Sequence, residues 1–191
     1  DLAQTAAGQG AALVNYCRVV GLEKDGGGFL TGVRAEELES GDELEARARV
    51  VVNATGVFTD GIRRLDDAEA RPMIRPSQGV HLVLPRAFLG GESAIMVPHT
   101  DDGRVLFAIP WHEVVVVGTT DTPVEKPELE PVALDEEVEF LLSHAARYLT
   151  KDPSRSDVLS CFAGLRPLVG GGDEEDTASL SRDHTLHISG S

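Results

Sequence analysis

Gly79-Val80-His81-Leu82-Val83-Leu84, Ser93-Ala94-Ile95-Met96-Val97, Val105-Leu106-Phe107-Ala108-Ile109 and Val114-Val115-Val116-Val117 are four short β-prone runs inside residues 71–118. Turn-forming residues separate them, and no helical pattern intervenes. Parallel strands need crossover connections of about a dozen residues or more. The spacing therefore predicts an antiparallel sheet forming a lobe of its own.

Upstream, Leu44, Ala46, Ala48 and Val50 alternate with polar residues and lead into the wholly apolar Val50-Val51-Val52. That pattern predicts a strand entering a buried sheet. Before it, Ala12–Tyr16, Cys17–Leu22 and Phe29–Leu38 read as short strands, with Gly26-Gly27-Gly28 as a hairpin turn. Leu2–Gln9 reads as a helix closed by Gly10. Downstream, a Pro-rich acidic link over 123–131 precedes a helix over about 135–150. Asp135 is expected to cap it, and Glu136 and Glu137 sit where they favour the helix dipole. Val138, Leu141, Leu142, Ala145 and Leu149 form its apolar stripe. A strand-like run over 157–168, a turn-rich stretch over 170–176 and a run over 179–188 follow.

The 191 residues are 41% hydrophobic, enough for one compact domain or two small lobes. Seventeen basic against 32 acidic residues give a net charge of −15, which argues against nucleic acid as a partner. An anionic ligand must then be captured locally. Cys17 and Cys161 are too few and too far apart for a disulfide framework or a metal site, and read as buried thiols. No run of eighteen apolar residues and no leader pattern occurs, so the expectation is a soluble, cytoplasmic protein. The blunt ends, Asp1 entering a helix and Ser191 following a strand-like run, read as those of an excised piece.

Four places carry ionisable or small residues in apolar surroundings. Val50-Val51-Val52-Asn53-Ala54-Thr55-Gly56 runs a strand into a small-residue turn, where a backbone can approach a ligand or simply end a buried strand. No dinucleotide fingerprint accompanies it: Gly26, Gly28 and Gly32 have the wrong spacing, so any pyrophosphate loop lies outside this sequence. His81 is either a satisfied core histidine or a base, since an imidazole pKa of about 6.5 suits proton abstraction at neutral pH. Arg166, inside Ala163-Gly164-Leu165-Arg166-Pro167-Leu168, is either salt-bridged internally or set for an anionic ligand. Arg182 stands beside Asp183, where a surface pair is the plain alternative. His99, His112, His144 and His187 have no metal-site spacing, and Trp111 reads as a core or lobe-packing residue.

Taken together, VVNATG at 51–56 with its leading Val50, RPSQGVHLVLP at 75–85, FAIPW at 107–111, GTTDTP at 118–123, AGLRPL at 163–168 and SLSRDHTLHI at 179–188 resemble, in order and spacing, the FAD-dependent glycerol-3-phosphate dehydrogenases. VVNATG alone is shared more widely among flavoproteins of the D-amino-acid-oxidase type. The resemblance implies a mixed α/β and α+β fold: part of a Rossmann-like FAD-binding lobe over 1–57, an antiparallel substrate lobe over 58–158, and a return segment over 159–191. Members of the family carry a glycine-rich flavin loop before this region and a GGK-type segment after it.

The resemblance further implies that His81, Arg166 and Arg182 line the substrate pocket, with His81 and Arg166 catalytic and both arginines on the phosphate. Thr55 and Gly56 would lie near the flavin. The implied reaction is oxidation of sn-glycerol 3-phosphate to dihydroxyacetone phosphate, with electrons passing to oxygen or to a quinone through peripheral contact with the inner face of the cell membrane. The excised piece alone is expected to be inactive and to bind FAD weakly or not at all. Two other readings stand beside this one: a related flavin oxidase of amino or hydroxy acids, with Arg166 on a carboxylate, and a non-enzymatic acidic interaction domain.

Overall fold

Asp25 shows how the glycine-rich turn folds: its carboxylate accepts hydrogen bonds from the amides of Gly27 (2.8 Å) and Phe29 (3.0 Å), and Gly28 takes a left-handed φ of +87°. The turn joins β1 (Cys17–Lys24) to β2 (Leu30–Glu37), which pairs in turn with β3 (Glu43–Arg47) in an antiparallel meander. The computed structural model describes residues 1–98, 100, 103–170 and 185–189. They fall into two units.

The first unit comprises Asp1–Thr55, Thr59–Arg71 and the described part of Leu186–Ser191. Besides the meander it holds α1 (Leu2–Gly8) and α2 (Thr59–Asp66). Asp66 of α2 pairs with Lys24 of β1 at 2.7 Å. Two expectations fail here, and one element was not expected. Residues 12–16 form no strand, and Tyr16 has a left-handed φ of 51°. A helix follows the VVNATG motif that the sequence reading did not anticipate. Pairing ends at Arg47, and Val50 and Val52 are 74% and 78% exposed rather than buried. One further backbone bond, from the Ala48 amide to Thr31 O at 2.8 Å, follows the ladder, and among the described residues 50–52 belong to no strand.

The second unit comprises Gly56–Phe58 and the described part of Pro72–Thr185. Its sheet is built from β4 (Ile74–Pro85), β5 (Ile95–Val97), β6 (Leu106–Trp111), β7 (Val114–Gly118), β8 (Thr122–Pro123) and β9 (Ser160–Val169), all pairing antiparallel. The long β4 is the hub. One edge carries β7 along 81–85 and β8 along 77–78, and the other carries β9 along 74–83. Residues 160–169 therefore belong to this sheet and not to a return segment starting at 159, and residues 59–71 belong with the first unit.

Alternation gives the sheet two faces. Val80, Leu82, Leu84, Leu106, Ala108, Val115 and Val117 point to the core, where they meet Leu141, Leu142 and Ala145 of α3 (Asp135–Ala146). Truncating one of these leucines to alanine costs about 2–5 kcal/mol. Asp135 does not cap α3. Glu137 does, accepting the Leu134 amide at 2.9 Å, while Asp135 pairs with Arg155 at 2.8 Å. On the opposite face Trp111 is 63% exposed and so no core residue; Cys161, opposite Leu82 on the edge strand, is exposed rather than buried although it lies on the core-facing side.

Candidate functional site

The open face of the sheet holds the first candidate. His81 sits on β4 opposite Gly118 of β7 on one side and Phe162 of β9 on the other. Its ring stacks on Phe162, centroids 5.1 Å apart and planes 9° from parallel. Gly118 provides the room: a Cβ there would come within 2.8 Å of the imidazole Cγ and Nε2. Burial, and then the positive charge of Arg166, lower the His81 pKa below its ordinary value. The ring is therefore neutral at pH 7, with one nitrogen able to accept a proton.

Arg166 leaves β9 opposite Ser77 and crosses β4 over Gly79. A Cβ on Gly79 would stand 2.6 Å from Cζ and 2.7 Å from Nη1 of the guanidinium. Beyond the glycine, Arg166 Nη2 donates to Thr119 Oγ1 at 3.0 Å, and Nη1 lies 3.5 Å from Asp121 Oδ1. Ser77 Oγ donates to the same Asp121 oxygen in a short contact. Arg166 thus has the internal carboxylate that was one of its two alternatives. Its side chain also remains 26% exposed, so an anion from solution can reach it.

His81 and Arg166 are brought together on one face; the other sequence candidates are placed differently. Thr55 and Gly56 sit in their own turn, where Thr55 Oγ1 donates to Asn53 Oδ1 at 2.8 Å and Asn53 Nδ2 donates to Thr59 O at 3.0 Å. Gly56 has φ +59°, and a Cβ there would meet nothing within 4 Å. A left-handed glycine facing open space leaves the backbone of this turn accessible to a ligand. Arg182 lies outside the described residues. Among the described residues no group of three His, Cys, Asp or Glu side chains is arranged to hold a metal, and no helix is long and apolar enough to cross a membrane.

Thr119 and Asp121 were missed as site residues. They stood inside the GTTDTP motif without an assigned role, and their link to Arg166 spans more than forty residues. Gly79 and Gly118 were missed as well. Gly118 is the direct partner of His81 and Gly79 lies two positions along β4 from the partner of Arg166, relations that exist only once the strands are paired.

The family model for FAD dependent oxidoreductases matches residues 1–190. The chain is 42% identical over 187 residues to the probable mitochondrial glycerol-3-phosphate dehydrogenase of Caenorhabditis elegans, covering 96% of this chain and 26% of that protein. It is 40% identical over 195 residues to the mitochondrial glycerol-3-phosphate dehydrogenase of Homo sapiens, covering 98% and 27%. This chain thus spans about a quarter of the length of the curated relatives it matches. Among solved structures, the glycerol-3-phosphate dehydrogenase of Bacillus halodurans complexed with FAD superposes with a TM-score of 0.79 at 33% identity, over 86% of this chain and 33% of that one. Glycine oxidase of Bacillus cereus, at 18% identity and a TM-score of 0.60 over 87% of this chain and 42% of that one, shares the fold. A match along nearly the whole sequence, together with this structural likeness, shows that the chain belongs to the FAD dependent oxidoreductase family.

Proposed function

We propose that the full-length protein oxidises sn-glycerol 3-phosphate to dihydroxyacetone phosphate with FAD as its cofactor. The observation that carries this reading is the pair on the open face: a neutral imidazole at His81 beside a guanidinium at Arg166. Relatives about 40% identical along the chain are named for that reaction, which supports the choice of substrate.

Arg166 binds the phosphate dianion through charge-assisted hydrogen bonds, and Thr119 and Asp121 hold its fork in place. Arg182 is the second phosphate anchor. His81 takes the proton of the C2 hydroxyl, and its lowered pKa keeps it unprotonated and ready to do so. The chemistry that FAD would supply when bound is that of a hydride acceptor for C2. Thr55 and Gly56 contribute to holding FAD through the exposed turn described above. The sheet unit acts as the substrate lobe, a role supported by the presence of both His81 and Arg166 on its open face.

The expected compartment is the cytoplasm, with peripheral membrane contact where a quinone takes the electrons. The worm and human relatives carry mitochondrial names, and cell fractionation decides between the two. The reading is tested by glycerol-3-phosphate-dependent dye reduction with the full-length protein and FAD. Arg166→Ala and Arg182→Ala are each expected to lower kcat/KM by about a hundredfold. A full-length protein that ignores glycerol 3-phosphate but turns over an amino or hydroxy acid overturns it.

A further inference from the structure

Glu137 is a carboxylate with only 3% of its surface exposed, near the start of α3. Burying a carboxylate is costly unless its oxygens are hydrogen-bonded. Here four donors from three segments converge on it. Thr120 Oγ1 and Thr122 Oγ1 donate to Oε1 at 2.9 and 2.7 Å, and Gln78 Nε2 and the Leu134 amide donate to Oε2 at 2.7 and 2.9 Å. Thr120 Oγ1 also accepts the Val80 amide at 3.0 Å, which ties the same point to β4.

The spacing of these donors matters more than their number. In extended chain, successive side chains point to opposite sides. Thr120 and Thr122 turn toward Glu137, while the intervening Asp121 and the preceding Thr119 turn toward Arg166. Gln78 belongs to the same alternation: its neighbours Ser77 and Gly79 lie against Asp121 and Arg166. One buried carboxylate on the core side thus pins the alternate residues of both segments that shape the arginine on the open side.

We propose that Glu137 is a positioning residue for the anion site, fixing Thr119 and Asp121, and through them the Arg166 guanidinium, from the opposite face of the sheet. The inference rests on the reading of Arg166 as the phosphate anchor. It differs from a purely structural role, in which Glu137 only caps α3 and ties it to the sheet. A structural role lowers stability without any coupling to Arg166.

The test uses the full-length enzyme with FAD, in a double-mutant cycle of Glu137→Gln and Arg166→Ala. Glutamine keeps the size of the side chain but sets its amide N–H groups against donors. Glu137→Gln is expected to raise KM for glycerol 3-phosphate about tenfold with kcat within about twofold. In the Arg166→Ala background, where no guanidinium remains to position, it is expected to lower kcat/KM by no more than about twofold. Thr122→Val, which removes one donor and leaves the carboxylate, carries the same cycle if Glu137→Gln fails to fold, with a KM increase of about threefold. A raised KM in Arg166→Ala combined with full additivity of the two changes overturns the positioning role alone. A wild-type KM in Arg166→Ala overturns the anchor reading and this inference with it.

Discussion

The guanidinium of Arg166 lies over the α-carbon of Gly79, and a Cβ at that position would stand 2.6 Å from the arginine Cζ. Absence of a side chain on β4 is what lets an arginine on β9 reach Thr119 and Asp121. The atoms in the way of a larger residue are the far end of a flexible side chain, not backbone. Gly79→Ala should therefore fold and displace the guanidinium. We expect a thermal midpoint within a few degrees of wild type and a rise of at least tenfold in KM for glycerol 3-phosphate. Gly164→Ala on the facing strand, whose Cβ would meet nothing within 4 Å, is the folding control. An unchanged KM in Gly79→Ala would show that the crossing is not needed for binding.

His81 gives the reaction a pH limb whose position follows from the causes of its shift. Burial and the neighbouring Arg166 charge both disfavour the imidazolium. If His81 is the base, kcat/KM falls as pH drops through its folded pKa, with a midpoint below the ordinary value of about 6.5. Arg166→Ala removes the smaller cause and leaves burial in place. The midpoint should then move up but remain below 6.5, and rate measurements between about pH 5 and 8 read it directly. A limb that does not move in Arg166→Ala would separate the titrating group from Arg166, and one that survives in His81→Asn would assign it to another residue.

The sheet was legible in the sequence because alternation writes a buried face plainly. Leu82 and Leu84 face the core exactly where the runs of Val115 and Val117 do, and the leucines of α3 complete the layer. Its other face misled. Phe107, Ile109 and Trp111 are apolar yet exposed, so the core alternative for Trp111, which read as a core or lobe-packing residue, fails. Val50 and Val52 misled in the same way. The helix Thr59–Asp66 is only eight residues long, with Ile62 and Leu65 its only apolar side chains, too short a window for its period to be read. In the site, Arg166 and His81 stood out as ionisable residues in apolar runs. Asp121 and Thr119 looked like ordinary turn residues until β4, β8 and β9 came together around Ser77.

Glu137 links the site to acid stability. Burial alone would raise its pKa, but hydrogen bonds from the Leu134 amide, Thr122, Gln78 and Thr120 outweigh that and hold it below the usual carboxylate value. A carboxylate whose folded pKa lies below its unfolded one stabilises the fold fully above the unfolded value of about 4.3. That contribution is lost as pH falls from there through the folded pKa. The stability difference between wild type and Glu137→Gln, measured by urea unfolding from pH 7 to 3, should therefore be constant above about pH 5 and shrink below about 4.3. A difference that stays constant to pH 3 would mean that protonation of Glu137 is not coupled to folding.

Gly32 is a second close approach, and its consequence is of the opposite kind. It pairs with Arg47 across β2 and β3, and a Cβ there would run into the Ala46 carbonyl oxygen and come within 3.1 Å of the Arg47 α-carbon. Both obstacles are backbone, so no rotamer change relieves them. Gly32→Ala should cost about 1–3 kcal/mol, the range for forcing extra atoms into packed structure. Every residue of β3 is exposed, so the strand has little buried surface with which to resist, and it should separate from β2 before the rest of the unit yields. Hydrogen exchange of the full-length protein is expected to show faster exchange at the β2–β3 amides, with the amides of β4 and β9 unchanged. Gly21→Ala, where the nearest atoms belong to the mobile end of Arg34, is expected to leave the exchange of β3 as it is. Equal protection of β3 in wild type and Gly32→Ala would show that the strand pair can shift to accept the methyl group.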